Sequence, residues 1–181
     1  EIQSLTASSN QATPRRAVVG WDASRLAMIM AVLEARCSIA LSGIEGYLNV
    51  AGGLKISEPA ADLAVAAALI SSVTGIPIPS ETVVFGELGL AGEVRAVSQM
   101  DVRLKEAEKL GFTQAIIPKA KLSTSRNELN QTKVLLQPKS MLTITEVTHL
   151  SDLVTNIVAH SSSKENRYKT RNFPLEEETV N

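Results

Sequence analysis

The sequence predicts an α+β domain, and three observations carry that expectation. Apolar stretches of helical length stand among short runs of β-branched residues. These do not follow the strict strand–helix–strand order that a doubly wound parallel sheet requires. Of the 181 residues, 44% are apolar but only 3% are aromatic, so a core must be built from Val, Ile, Leu and Ala. The expected architecture is a mixed sheet with packed helices over residues 1–160, followed by a polar flexible tail over 161–181.

Ser8 to Gln11 is polar and loop-like, and Thr13-Pro14 marks an extended entry. Arg16 to Val19 reads as a strand. Arg25 to Ala35 is apolar almost all round and reads as a buried helix, with Asp22 or Ser24 as its cap. Tyr47 to Val50 is a strand, and Gly52-Gly53 a tight turn or bulge. Asp62 to Val73 is an Ala-rich helix, with Ser57 as its N-cap and Glu58 and Pro59 in the first turn.

Gly75 to Pro79 ends that helix, and Val83 to Phe85 is a short buried strand. Glu87 to Arg95, shaped by Gly89 and Gly92, reads as a bent hairpin in which Glu93 pairs locally with Arg95. Asp101 to Leu110 is a helix closed by Gly111. On its wheel Met100, Leu104, Ala107 and Leu110 form the apolar face, and Arg103 falls inside it, which calls for a carboxylate partner or a subunit contact. Asp101 and Glu108 partly neutralise Lys105 across helix turns, leaving Lys109 freer. Gln114 to Ile117 is a strand stopped by Pro118, Leu142 to Glu146 another, and Leu150 to Ala159 a last amphipathic helix.

The net charge of −1 hides a division along the chain. Residues 1–94 hold 5 basic and 9 acidic side chains (−4), residues 95–139 hold 9 and 4 (+5), and residues 140–181 hold 4 and 6 (−2). A basic segment of this kind suits an anionic partner. Lys119, Lys121, Arg126, Lys133 and Lys139 fall in a loop-rich stretch with few acids, a pattern suited to phosphates. No aromatic side chain lies between Lys119 and Lys139, which argues against base stacking there. Several chemistries are absent. There is no phosphate-binding G-x-x-x-x-G-K-[ST] run, and Cys37 with the distant His149 and His160 does not make a zinc site, so no cofactor is expected. No apolar run reaches the roughly 18–20 residues of a membrane span, no secretory signal is visible, and the lone cysteine fits a reducing compartment.

Three blocks stand in order at characteristic spacing: Gly53 to Val65 (GLKISEPAADLAV), Gly86 to Arg95 (GELGLAGEVR) and Arg103 to Phe112 (RLKEAEKLGF). With Glu1 to Leu5, Thr13 to Arg16 and Asp22 to Ala27, they resemble the C-terminal Lon-protease-like domain of RadA (Sms) type DNA repair proteins. The resemblance covers roughly residues 1–160. It implies the Lon-protease-like (ribosomal protein S5 domain 2-like) fold. Lon-type peptidases use a Ser nucleophile in a Pro-Ser-Ala-Gly turn and a Lys base. Here the matching run is Pro59-Ala60-Ala61-Asp62, and gap-free alignment back from Ile117-Pro118 puts the base at Asp101. Both members of the dyad are therefore replaced, Ala60 having no nucleophile and Asp101 being acceptor-only at neutral pH. A substitute pair from Lys55 and Ser57 is less simple than a cap role for Ser57.

The resemblance further implies a non-catalytic domain that helps build a hexameric ring and binds double-stranded DNA during recombination and branch migration. A RecA-type recombinase is a further partner in that picture, and no membrane is involved. The compartment is intracellular: cytoplasmic in a bacterium, plastid or mitochondrion in a plant. Lys55, Lys105, Lys109, Lys119, Lys121, Arg126 and Lys133 are the candidate DNA contacts, and Arg15, Arg16, Arg25 and Arg103 the candidate oligomer contacts. The alternative is a degenerate peptidase-fold scaffold that binds protein partners without touching DNA.

Overall fold

The structure, a computed structural model, describes residues 1–119 and 141–169, with the side chains of 160–169 outside the description. Eight strands and four helices occur among these residues: β1 (Ile2–Ser8), β2 (Arg16–Val19), α1 (Ala23–Cys37), β3 (Ile44–Val50), α2 (Asp62–Thr74), β4 (Thr82–Val84), β5 (Glu87–Leu88), β6 (Val94–Arg95), α3 (Met100–Lys109), β7 (Gln114–Pro118), β8 (Thr143–Val147) and α4 (Leu150–Lys169). The arrangement is mixed α+β. One sheet has the order β1-β3-β2, with β1 antiparallel and β2 parallel to β3. A second, all-parallel sheet has the order β4-β7-β8, and β5 with β6 form a small hairpin.

Local chemistry explains most of these elements. Asp22 caps α1 by accepting the Arg25 N–H at 2.8 Å, and Ser38 ends it in the left-handed region at φ 56°. Gly75, at φ 68°, ends α2. Leu26, Ile29, Met30 and Leu33 of α1 meet Leu63, Ala66, Ala67 and Ile70 of α2 and Leu150, Leu153 and Ile157 of α4 in the main core. Beyond the second sheet, Leu104 of α3 joins Phe85, Ala115, Ile117 and Leu142 in a smaller cluster. Strand β7 serves both, because alternate residues face opposite sides: Ile116 toward the main core, Ala115 and Ile117 toward α3.

Four expectations change. Strand β1 is not evident from apolar alternation, because its inward residues include Ser4 and Thr6. Ser57 does not cap α2: a short 3-10 turn over Pro59–Ala61 leads into the helix with no side-chain cap, and Ser57 is exposed. Leu110 is 70% exposed because α3 ends at Lys109, one residue before it. The last helix continues past Ala159 to Lys169, since the three serines at 161–163 are weak helix formers but no Gly or Pro breaks the run. Residues 170–181, the rest of the expected tail, lie outside the described residues.

Candidate functional site

The start of α2 carries Ala60, the position that the resemblance matches to the Lon-type nucleophile, and backbone bonds fix its place. Gly86 donates its N–H to the Ala60 carbonyl at 2.8 Å and accepts the Leu63 N–H at 3.0 Å, clamping the 3-10 turn against the strand that follows β4. A Cβ at Gly86 would press on Leu63, Val94 and Pro118 at 3.0–3.1 Å, so this close approach favours glycine. Ala60 itself is 4% exposed.

Two residues on, Asp62 is fully buried and its carboxylate is satisfied three ways. Arg25 donates from Nε to Oδ1 at 2.5 Å and from Nη2 to Oδ2 at 2.6 Å, a bidentate pair, and Leu88 donates its N–H to Oδ2 at 3.2 Å. Bonding to this carboxylate raises the Arg25 guanidinium above its ordinary range, against the opposing effect of burial. Asp62 thus ties α1, α2 and the hairpin together. It follows the residue types at 59–61 that carry the resemblance, but only its partner across 37 positions makes it legible, and single-sequence spacing does not reveal that partner.

The hairpin continues the polar network. Arg95 pairs with Glu93 at 2.5 Å and approaches Glu87 at 3.6 Å, while Glu93 also accepts the Ala91 N–H at 3.2 Å. Backbone N–H donation, its own first, and the Arg95 guanidinium hold the Glu93 carboxyl below the usual range. A side chain at Gly89 would fall on that carboxylate. On the far side the hairpin docks on α4, where Val94 N–H donates to the Thr148 carbonyl at 2.9 Å, Leu150 N–H to Gly92 at 2.8 Å, and His149 Nε2 meets the Ala91 carbonyl at 3.0 Å.

The other singled-out residues distribute as follows. Asp101 lies in the first turn of α3, half-buried. Arg103 donates from Nε to the Ser98 carbonyl at 3.0 Å and pairs with Glu58, so the helix carrying Asp101 is tied to the turn carrying Ala60. Lys109, expected to be the freer lysine of α3, pairs with Glu106 at 3.1 Å, one turn back, while Glu108 accepts the Met141 N–H at 3.0 Å. Arg16 donates to the Ile44 carbonyl, and Arg15 is exposed at the head of β2. Lys55, Lys105 and Lys119 are exposed on three separate elements: the loop after β3, the outer side of α3, and the end of β7. Lys121, Arg126 and Lys133 lie outside the described residues.

Chemically, the turn offers a buried methyl at Ala60 and, two residues on, a buried carboxylate paired with Arg25. Among the described residues, no three His, Cys, Asp or Glu side chains converge to hold a metal ion, and no helix is long and apolar enough to cross a membrane.

Residues 26–121, which are 96 of the 181, match the family described as subunit ChlI of Mg-chelatase. The DNA repair protein RadA of Brucella abortus (strain 2308) is 52% identical over 166 residues, covering 91% of this chain and 32% of that protein. RadA of Rickettsia prowazekii (strain Madrid E) is 55% identical over 119 residues, 66% of this chain and 27% of that protein. RadA of Synechocystis sp. is 48% identical over 119 residues, 66% of this chain and 24% of that protein. The chain therefore spans about a third or less of the length of these curated relatives. With more than half of its residues matched, the chain belongs to the family described as subunit ChlI of Mg-chelatase, as a homologue of the DNA repair proteins named RadA.

Proposed function

We propose that this chain is the Lon-protease-like domain of a RadA-type DNA repair protein, and that it works without peptidase chemistry. In this reading it contributes to assembly of a hexameric ring and binds duplex DNA during recombination and branch migration, with a RecA-type recombinase as a further partner. The observation that carries it is the start of α2. In a chain about half identical to proteins named for DNA repair, the position matching the Lon-type nucleophile holds Ala60, 4% exposed, beside the buried Asp62 and its partner Arg25. The α+β architecture is compatible with a Lon-like domain.

Phosphate contact falls to exposed basic side chains rather than to the arginines already paired within the chain. Arg25, Arg95 and Arg103 each engage a carboxylate of their own chain, and Lys109 engages Glu106. Lys55, Lys105 and Lys119 remain at the surface, with Lys121, Arg126 and Lys133 close to Lys119 in sequence. Contacts of this kind release counterions, so affinity falls with salt by about 0.9 per phosphate contact on a logarithmic plot.

The test is fluorescence anisotropy of a labelled duplex titrated with this chain at two salt concentrations. The expected result is binding that weakens steeply with salt, with a smaller slope after charge reversal at Lys119, Lys121 and Lys133. A folded chain that fails to bind at low salt sinks the DNA reading and leaves a peptidase-fold scaffold for protein partners.

A further inference from the structure

We propose that the outer face of the β1-β3-β2 sheet docks a second copy of this chain, sheet against sheet, across a two-fold axis parallel to the strands. This goes beyond the ring and DNA reading above, because a two-fold contact joins two chains and closes no ring.

The strand register defines the face. Leu5 stands opposite Tyr47 and Ala17 alongside it, while Val19 sits beside Asn49. Arg16 pairs with Gly46, so Arg15 comes level with Glu45 at one end. The alternate residues Ile2, Val18, Leu48 and Val50 point the other way, into the core with α1 and α2. Leu5 and Val19 are 63% and 60% exposed, an apolar pair on two strands either side of Tyr47. The polar groups between them already have partners: Tyr47 Oη donates to Glu45 at 2.6 Å, and Asn49 Nδ2 donates to Gln3 Oε1 at 3.1 Å. Drying this face therefore strands none of these groups.

A strand arriving at the β1 edge is excluded by a separate contact. Ala51 N–H bonds the Glu1 carbonyl and Ser9 N–H the Gly43 carbonyl, so odd-numbered residues of β1 bond to β3 and even-numbered ones face the edge. Midway along that edge, Thr6 N–H donates to Ser72 Oγ of α2 at 2.9 Å. The helix closes the edge where an added strand needs a donor. Beside that closed edge the face of the sheet stays open.

The occupant follows from charge. Arg15 and Glu45 sit side by side at one end of the face, on adjacent strands. A two-fold axis along the strands lays β2 of one copy over β1 and β3 of the other, end matching end. Each Arg15 then meets the other copy's Glu45, twice per dimer, and each Leu5 covers the other copy's Ala17. Such self-complementarity is the signature of an isologous contact. A nucleic acid would meet Glu45 as a repulsive charge. The footprint, two strands of seven residues and one of four, is at most about 14 by 24 Å, which makes the dimer weak and transient.

Sedimentation velocity on the whole chain, at two concentrations a hundredfold apart, tests this. The expected result is a mass rising toward twice the monomer at the higher concentration, and a monomer at both for Leu5→Glu and for Val19→Asp. Arg15→Glu and Glu45→Arg should each weaken the dimer by roughly tenfold or more, and the double reversal should restore it. Circular dichroism confirms that each variant is folded. A monomer at the high concentration overturns the proposal. So does an assembly indifferent to Leu5→Glu and Val19→Asp, or single reversals that the double does not rescue. The DNA titration of these variants reads independently, so failure here leaves the DNA reading standing and the reverse also holds.

Discussion

Asp62 has no exposed surface, and its place in the fold rests on Arg25 holding both of its oxygens in a fork that lysine cannot copy. Removing the guanidinium leaves a buried carboxylate with one backbone N–H. Arg25→Ala is therefore expected to cost about 3 kcal/mol in urea unfolding, and Arg25→Lys to recover only part of it. The paired replacement of Arg25 and Asp62 by Met and Leu should cost much less than either single change. At Ala60 the expectation concerns chemistry. Ala60→Ser supplies a hydroxyl in the buried turn, but an aspartate such as Asp101 is ordinarily a far weaker base than a neutral lysine. No covalent labelling by a serine-directed phosphonate is expected, as read by intact mass, and labelling would show that another base is in reach.

Helix α4 begins on a carboxylate that reaches backward. Asp152 Oδ2 accepts the Thr148 N–H at 2.9 Å, the His149 N–H at 3.0 Å and the Thr148 hydroxyl at 2.9 Å, the return half of a capping box. The Thr148 N–H first, then the His149 N–H, hold its carboxyl below the ordinary aspartate range against partial burial. A folded-state value depressed below the unfolded one contributes stability above the unfolded value, near pH 3.9, and loses it as pH falls through the folded value. Unfolding free energy should thus drop between about pH 4 and the acid limit, and Asp152→Ala should flatten part of that drop. At neutral pH the same change should cost about 1 kcal/mol, measured by urea titration. The hairpin depends on this end of α4, since Glu93 bridges to His149 and Val94 bonds to Thr148.

The whole molecule is joined through β7. Ile116 belongs to the main core, and Ala115 and Ile117 to the cluster under α3, so neither side keeps its packing when the strand leaves. Ile117→Ala should destabilise by about 2–5 kcal/mol while unfolding stays a single transition by both circular dichroism and Trp21 fluorescence. Separate transitions would show that the α3 layer melts alone. The acidic and basic thirds of the chain have a mixed fate at this scale. Arg25, Arg95 and Arg103 are paired with carboxylates inside the chain, while Lys55, Lys105 and Lys119 are exposed on separate elements.

The sequence by itself determined the α+β class, the position of most helices and strands, and the Glu93–Arg95 pair. These follow from local causes: apolar periodicity, Gly and Pro punctuation, and contacts between near neighbours. Asp22 as the α1 cap was one of two local candidates, and the structure chose it because its carboxylate reaches the Arg25 N–H. Only the tertiary structure decided what lies far apart along the chain. Strand β1 was hidden because Ser4 and Thr6 face inward, Thr6 to meet Ser72 of α2. Asp62 gave no sign of burial, because the charge that neutralises it stands 37 positions away on another helix. Arg103 was legible as needing a partner, but its choice of Glu58 was not. Such pairings carry no periodicity, and the fold makes them when it brings two helices and a turn within reach of one another.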